Sequence, residues 1–232
     1  YIGSGHFTGD RTIQVEGPAG NRILTFANAA ICTGARASVP PIQGLKEAGC
    51  LTNETVFSLT ELPQRIGVIG AGPIGCELAQ SFARFGSQVH LIEAQHGIMP
   101  NEDRDAAEIV EQQMLRDGVK LLCCGKDLTV SKADGGKRLT VDSHGQQYDV
   151  TVDEILVGVG RTPNVDGVSL EAVGVEYDKN GVQVNARLQT TNPRIFAAGD
   201  VCSRYKFTHA ADAMAQIVIQ NALFPHPFGL GY

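Results

Sequence analysis

The chain has 232 residues, a formal net charge of −6, 43% hydrophobic and 19% charged residues. These are globular values, enough for one large domain or two small ones. The acidic balance leaves no basic footprint for nucleic acid, and no apolar run reaches membrane-spanning length.

The first thirty residues read as strands and turns. Thr12-Ile13-Gln14-Val15 alternates, Gly17-Pro18-Ala19-Gly20-Asn21 turns the chain, and Ile23-Leu24-Thr25-Phe26 returns. Ala29-Ala30-Ile31-Cys32 reads as a short buried strand running into Thr33-Gly34-Ala35-Arg36 and a proline brake at Pro40-Pro41. Residues 42–62 read as a linker with polar turns. A compact unit is expected from Pro63 to Val184, and a tail beyond it.

Ile66-Gly67-Val68-Ile69 reads as a buried parallel strand. The turn Gly70-Ala71-Gly72-Pro73-Ile74-Gly75 follows, then a helix with Ile74, Leu78, Phe82 and Phe85 on one face, stopped by Gly86. Val89 to Ile92 forms the next strand, which ends on Glu93. Each part has a physical role. Gly70 turns the chain tightly, Gly72 lets a pyrophosphate approach the backbone, and Gly75 lets helix and strand pack closely. The free N–H groups at the helix start attract phosphate, and Pro73 is tolerated there because its missing N–H would be unpaired anyway. Glu93 is placed to accept hydrogen bonds from the adenine-ribose hydroxyls. A glycine turn between strand and helix, with an acid on the next strand end, is the context that marks dinucleotide binding. A 2′-phosphate would face the Glu93 carboxylate, at a cost of roughly 1–4 kcal/mol for unit charges ~4 Å apart. No Arg follows in Ala94-Gln95-His96. NAD(H) is therefore expected over NADP(H).

A helix is expected from Asp103 to Asp117 with Ala106, Ile109, Val110 and Met114 inward, closed by Gly118. Val119 to Cys123 reads as a strand. A β-meander follows through Leu128-Thr-Val, a turn at Asp134-Gly135-Gly136, Leu139-Thr-Val and Tyr148-Asp-Val. Glu154 to Val159 reads as another buried strand, ending in Gly160-Arg161-Thr162-Pro163-Asn164. Arg161 is suited either to a cofactor phosphate or to anchoring its loop. Ile195 to Ala198 is a short strand ended by Gly199-Asp200, and Thr208 to Leu223 a helix. Asp200 is well placed to hold a sugar hydroxyl.

None of the six cysteines (Cys32, Cys50, Cys76, Cys123, Cys124, Cys202) forms C-x-x-C or a zinc-type spacing. Reduced thiols and a cytoplasmic setting are expected. Strand alternation should send Cys123 and Cys124 to opposite faces. His6, His90, His96, His144 and His226 are scattered without metal spacing, so no metal is expected.

Thr33-Gly34-Ala35-Arg36, the fingerprint Gly70 to Glu77, Gly160-Arg161-Thr162-Pro163-Asn164 and Ala198-Gly199-Asp200 stand in one order. Together they resemble the pyridine nucleotide-disulfide oxidoreductases, the family of dihydrolipoamide dehydrogenase, glutathione reductase and mercuric reductase. Leu51-Thr-Asn-Glu-Thr-Val-Phe-Ser-Leu looks most like the mercuric-reductase branch. The resemblance covers the whole chain. It implies an α/β fold: a Rossmann-like NAD(P)-binding domain, parallel sheet plus β-meander, inserted in the remnant of an FAD-binding domain. Residues 1–62 would end the first FAD segment, 63–184 would bind NAD, and 185–232 would be the FAD return segment.

By the same resemblance, Gly70, Ala71, Gly72, Pro73, Ile74, Gly75, Glu77, Glu93 and Gly160 belong to the NAD side. Gly5, Thr33, Gly34, Ala35, Asp200, Phe207, Thr208 and His209 belong to the FAD side. Glu77 would be the partner of a flavin-side Lys that this chain does not carry; the bland alternative is support of the helix dipole. A first G-x-G-x-x-G, a C-x-x-x-x-C pair and a His-Glu dyad are also missing from the sequence. The chain begins at Tyr1, as expected of a piece of a longer protein. The parent would pass a hydride from NADH to FAD and electrons on to a cysteine disulfide and a substrate, as a homodimer. The chain alone is expected not to complete that reaction. The alternatives are a flavoprotein of the NADH-oxidase or ferredoxin-reductase kind, and a non-enzymatic dinucleotide-binding module.

Overall fold

A computed structural model describes residues 1–224. The chain divides into two compact units, residues 37–160 and residues 1–36 with 161 onward. His226 lies outside the described residues.

Strands β1 (Ser4–Gly9), β2 (Thr12–Gly17) and β3 (Gly20–Thr25) form an antiparallel sheet in the discontinuous unit. The two-residue turn Pro18-Ala19 joins β2 to β3, as Gly17↔Gly20 is their last pair. Strand β4 (Ala29–Ile31) and β5 (Ala35–Ala37) follow.

The second unit opens with α1 (Leu45–Ala48), in the segment expected to be a linker. Leu45 is 1% exposed, Val56 is buried, and Leu51 bridges to Leu156 in parallel. These apolar contacts make residues 42–62 part of the folded unit, so its boundary falls at residue 37 and not at Pro63. Strand β6 (Arg65–Ile69), helix α2 (Pro73–Phe85) and β7 (Gln88–Ile92) form a parallel βαβ unit. Helix α3 (Arg104–Arg116) and β8 (Lys120–Leu122) extend it. The antiparallel meander β9 (Lys126–Ala133), β10 (Gly136–Ser143), β11 (Gln146–Val152) comes next, and β12 (Glu154–Val157) returns to the sheet. The parallel order is β12-β6-β7-β8.

Alternation along the strands sorts two cores. Ile66, Val68, Leu91 and Leu156 meet Cys76, Ala79, Ala107 and Met114 of the helices. Ile69, Ile92, Ile155 and Val157 meet Val130, Leu139, Val141 and Val152 of the meander. A Cβ on Gly67 would stand 2.4 Å from Leu139 Cδ1, so the glycine sets how closely the meander covers the sheet.

Both helix faces differ from the expected ones. Phe85 is 70% exposed, and the inward side of α2 is Gly75, Cys76 and Ala79, flanked by half-buried Leu78 and Phe82. In α3 the inward residues are Ala107 and Met114, whereas Ala106 and Ile109 face solvent. The most deeply buried positions of α2 are small because the helix lies close on the sheet, while Phe85 of α2 and Ile109 of α3 are turned outward.

Asp153 ties the start of β6 to β12. Its carboxylate accepts from Arg65 N at 2.8 Å and from Arg65 Nε at 3.1 Å. The bond from the Arg65 guanidinium holds this carboxyl below the usual carboxylate range. A lowered carboxylate contributes stability above its unfolded value, ~3.9, and loses it as pH falls through the folded value. The group is a third exposed, so solvent screening limits the effect. Asp153→Asn is expected to cost about 1 kcal/mol at pH 7. Thermal melts should show the gap to wild type closing below pH 4; a gap independent of pH would contradict this.

The discontinuous unit resumes with β13 (Arg161–Pro163), the short hairpin β14 (Tyr177–Asp178) and β15 (Gly181–Val182), β16 (Ile195–Ala197) and α4 (Thr208–Leu223). Strand β16 pairs in parallel with β4, Ile195↔Ala29 to Ala197↔Ile31. Phe7, Ile31, Leu170, Val182 and Ile195 share one core, and Leu188, Phe196, Met214 and Val218 a second. No helix among the described residues is long and apolar enough to cross a membrane.

Candidate functional site: two nucleotide-type clefts

In residues 37–160 a cleft of about 580 Å³ opens at the carboxyl ends of the parallel strands. Gly70, Gly72, Pro73, Ile74, Glu93 and Gly160 all line it. The glycines divide the work as their chemistry requires. Gly70 has φ 98, and a Cβ on it would meet Gly158 O at 2.7 Å. A Cβ on Gly75 would stand 1.9 Å from Gly70 O, so helix and strand touch backbone to backbone. Gly72 instead has open space where a Cβ would be, at the start of α2 with Pro73 in its first turn. The helix therefore presents free N–H groups to an open wall.

Glu93 does more than wait at a strand end. Its Oε2 accepts from Ala71 N at 2.8 Å and its Oε1 from Gln95 N at 2.9 Å. The carboxylate is thereby pinned between the glycine turn and its own loop. Each oxygen keeps a further lone pair for a ligand hydroxyl. Ala71 is fully buried behind this contact, and Gly75 is buried as well, so both shape the cleft without lining it. Glu77 is exposed on α2 and is not part of the cleft wall.

Two contributors were not singled out from the sequence. A Cβ on Gly158 would lie 3.4 Å from Gly75 Cα and N, making a third glycine in the backbone contact. In the sequence it falls inside the strand expected from Glu154 to Val159, whereas β12 ends at Val157. Met99 donates its N–H to Ala71 O at 2.7 Å. Met99 has φ 44 in an irregular loop, and nothing periodic announces it.

Cys76 lies in the first turn of α2, where a helix N-terminus would favour a thiolate. Burial overrides that: it pushes the thiol up to about 12, with Glu93 and Glu77 adding to the shift. Cys76 is a packing residue. Burial likewise raises Cys202 to about 12. His90, half-buried on β7, is lowered by burial and by Lys120.

The discontinuous unit has its own cleft of about 470 Å³, where Gly34, Arg161, Asp200, Phe207 and Thr208 meet. Gly34 has φ 68 and open space at its Cβ position. The start of α4 contributes Phe207, Thr208 and Ala211 to the wall of this cleft, beside Lys206. Arg161 Nη2 donates to Ala35 O at 2.6 Å, and Arg161 Nε lies 3.1 Å from Asp200 Oδ2. That Nε–H is buried and has no aligned acceptor among the described residues. An open glycine wall and a helix start beside Lys206 fit a phosphate-bearing ligand, with Arg161 held in place by Asp200 and Ala35.

Other expected residues of this side have structural roles. Thr33 Oγ1 donates to Asn164 O at 2.7 Å, and Asn164 Nδ2 donates to Thr33 O at 2.9 Å. The two loop motifs clasp each other through this pair. Ala35 is buried. His209 stacks on Phe207 with ring centroids 5.4 Å apart. Gly5 sits in β1 opposite Val15 and is not among the residues of the cleft.

A glycine-lined cleft at the carboxyl edge of a parallel sheet is the place where such sheets bind dinucleotides, and the second unit carries a separate anion-ready cleft. The sequence matches the pyridine nucleotide-disulphide oxidoreductase family over residues 3–215, and the chain belongs to that family. FAD and a pyridine nucleotide are the cofactors of this family.

Among curated relatives, the mercuric reductase of Staphylococcus aureus is 35% identical over 222 residues, 95% of this chain and 40% of that protein. The dihydrolipoyl dehydrogenase of Bacillus subtilis is 32% identical over 210 residues, 90% of this chain and 45% of that protein. Among solved structures, the HOCl-induced flavoprotein disulfide reductase RclA of Escherichia coli superimposes with a TM-score of 0.85 at 31% identity, covering 95% of this chain and 50% of that one. The chain thus spans less than half the length of these two curated relatives.

Proposed function

We propose that the chain is the NADH-binding part, with one portion of the FAD site, of a flavoprotein disulfide oxidoreductase. In the whole protein FAD would accept a hydride from NADH and relay electrons to a cysteine pair and a substrate. Residues 37–160 would bind NADH. Residues 1–36 and those from 161 would hold part of FAD, with Asp200 and Thr208 nearest its sugar and phosphates. Glu77 would face a lysine supplied by the rest of the protein, and the whole protein would be a homodimer.

The observation that carries this reading is Glu93, held by Ala71 N and Gln95 N at the rim of the Gly72 wall. That geometry suits a ribose diol and opposes a 2′-phosphate. Calorimetric titration should show NADH binding at least about tenfold more tightly than NADPH, a difference of ~1.4 kcal/mol. Equal affinities would refute the preference. Mixed with FAD and NADH, the chain should not turn over a disulfide substrate, and sustained turnover would refute the division of labour.

A further inference from the structure

Four side chains of metal-ligand type, none of them lining the glycine cleft, converge at the ends of three segments. The ligand atoms of His96, Cys123, Cys124 and His144 all lie within 4.8 Å of one another. They come from three segments of the 37–160 unit: the loop after β7, the residues just past β8, and the turn between β10 and β11. We propose that these four residues form a binding site for one zinc-class divalent cation.

The local backbone explains how they meet. Strand β8 ends at Leu122, so Cys123 and Cys124 escape its alternation. Cys124 takes φ 55, which brings its sulfur round to the same side as that of Cys123. This corrects the expectation of opposite faces. His144 also has a positive φ, 54, followed by Gly145 at 78. Ser143↔Gln146 is the last pair, so His144-Gly145 is a two-residue hairpin turn of the kind that usually takes Asn-Gly. A histidine at such a position needs support, and the local contacts supply it. Gly145 N donates to Asp142 Oδ1 at 3.0 Å, and Ser143 Oγ donates to Cys123 O at 2.6 Å. Cys124 N donates to Gln95 O at 2.9 Å, tying the His96 loop to the cysteine pair.

The spacing suits a tetrahedron. Zn–S of ~2.3 Å and Zn–N of ~2.0–2.1 Å put sulfur and nitrogen about 3.6 Å apart along a tetrahedral edge. Cys123 Sγ lies 3.3 Å from His144 Nε2, and Cys124 Sγ lies 3.7 Å from His96 Nδ1. Two thiolates and two imidazoles are the donor set that selects zinc over magnesium or calcium. Binding would release the two thiol protons to solvent and involves no change of oxidation state. The site draws its ligands from no residue of the nucleotide reading, so the two stand or fall separately.

The test uses the tag-free chain, fully reduced, with Zn²⁺ added in competition with a chromophoric chelator. One Zn²⁺ per chain is expected. Cys123→Ser and His144→Ala should each weaken binding at least about tenfold, whereas Cys50→Ser should leave it unchanged. Co²⁺ in place of Zn²⁺ should give the intense visible bands of a tetrahedral ion and a thiolate charge-transfer band, both lost in Cys123→Ser. Circular dichroism of each variant reports whether it folds. Absence of saturable binding to the folded wild type would overturn the proposal. So would equal binding by Cys123→Ser and His144→Ala, or an octahedral Co²⁺ spectrum.

Discussion

Gly75→Ala is expected to disrupt the 37–160 unit far more than the same change at the cleft residue Gly72. The added Cβ would sit 1.9 Å from Gly70 O and 3.0 Å from Gly70 C, backbone atoms with no rotamer to give way. Helix α2 would have to lift from β6, away from Ile66 and Val68, which are fully buried. Overpacking of this kind costs about 3 kcal/mol or more, roughly 6–12 °C of Tm in a chain of this size. Gly72→Ala makes the informative contrast. Gly72 has φ −72 and ψ −179, which any residue adopts, and open space beside it. Its alanine variant should melt within about 2 °C of wild type. The new methyl group would stand where a pyrophosphate must approach, so NADH affinity should fall at least about tenfold, ~1.4 kcal/mol. A Gly75→Ala protein that melts normally, or a Gly72→Ala protein that binds normally, would show that these glycines do not divide packing from binding.

Replacing Glu93 by alanine should damage both properties at once. The carboxylate is the acceptor for Ala71 N, and Ala71 is fully buried. Leaving that N–H unpaired costs about 1–3 kcal/mol of stability. The same substitution removes the acceptor for the ribose hydroxyls, and hydrogen bonds to a charged group contribute about 1.5–3 kcal/mol, some 10- to 100-fold in NADH affinity. Glu93→Gln separates the two effects. Its amide oxygen can still accept from Ala71 N, so Tm should largely recover. Discrimination against NADPH should shrink because the negative charge is gone. Wild-type discrimination in Glu93→Gln would place the selectivity in another residue.

The fingerprint was legible because its requirements are local. A strand, a turn needing positive φ at Gly70, a close approach at Gly75 and an acid on the next strand end all fall within one βαβ stretch. The meander and the extent of α4 were legible from alternation and helical period for the same reason. Three features were not. Residues 42–62 look polar, and only the burial of Leu45 and Val56 against distant strands makes them part of the folded unit. The phase of α3 is not set by its sequence alone, because its apolar residues cover more of the helix than the sheet can bury and Ile109 is left outside. The sequence of the Cys123-Cys124 pair reads as strand, whereas β8 ends at Leu122 and a left-handed residue reorients the second sulfur. No spacing rule anticipates ligands that a hairpin tip and two loop ends bring together through tertiary folding.

The pairing of β4 with β16 has a consequence for how the chain is made. Ala29 waits for Ile195, while every strand of the 37–160 sheet finds its neighbours within its own stretch. On the ribosome, the inner unit can complete its sheet before the partner of β4 has been translated. The early segment must meanwhile stay unaggregated with an open edge, and it is held in register only when the late segment arrives. A translation pause after residue 160 would leave β4 without its partner, because β16 has yet to be made.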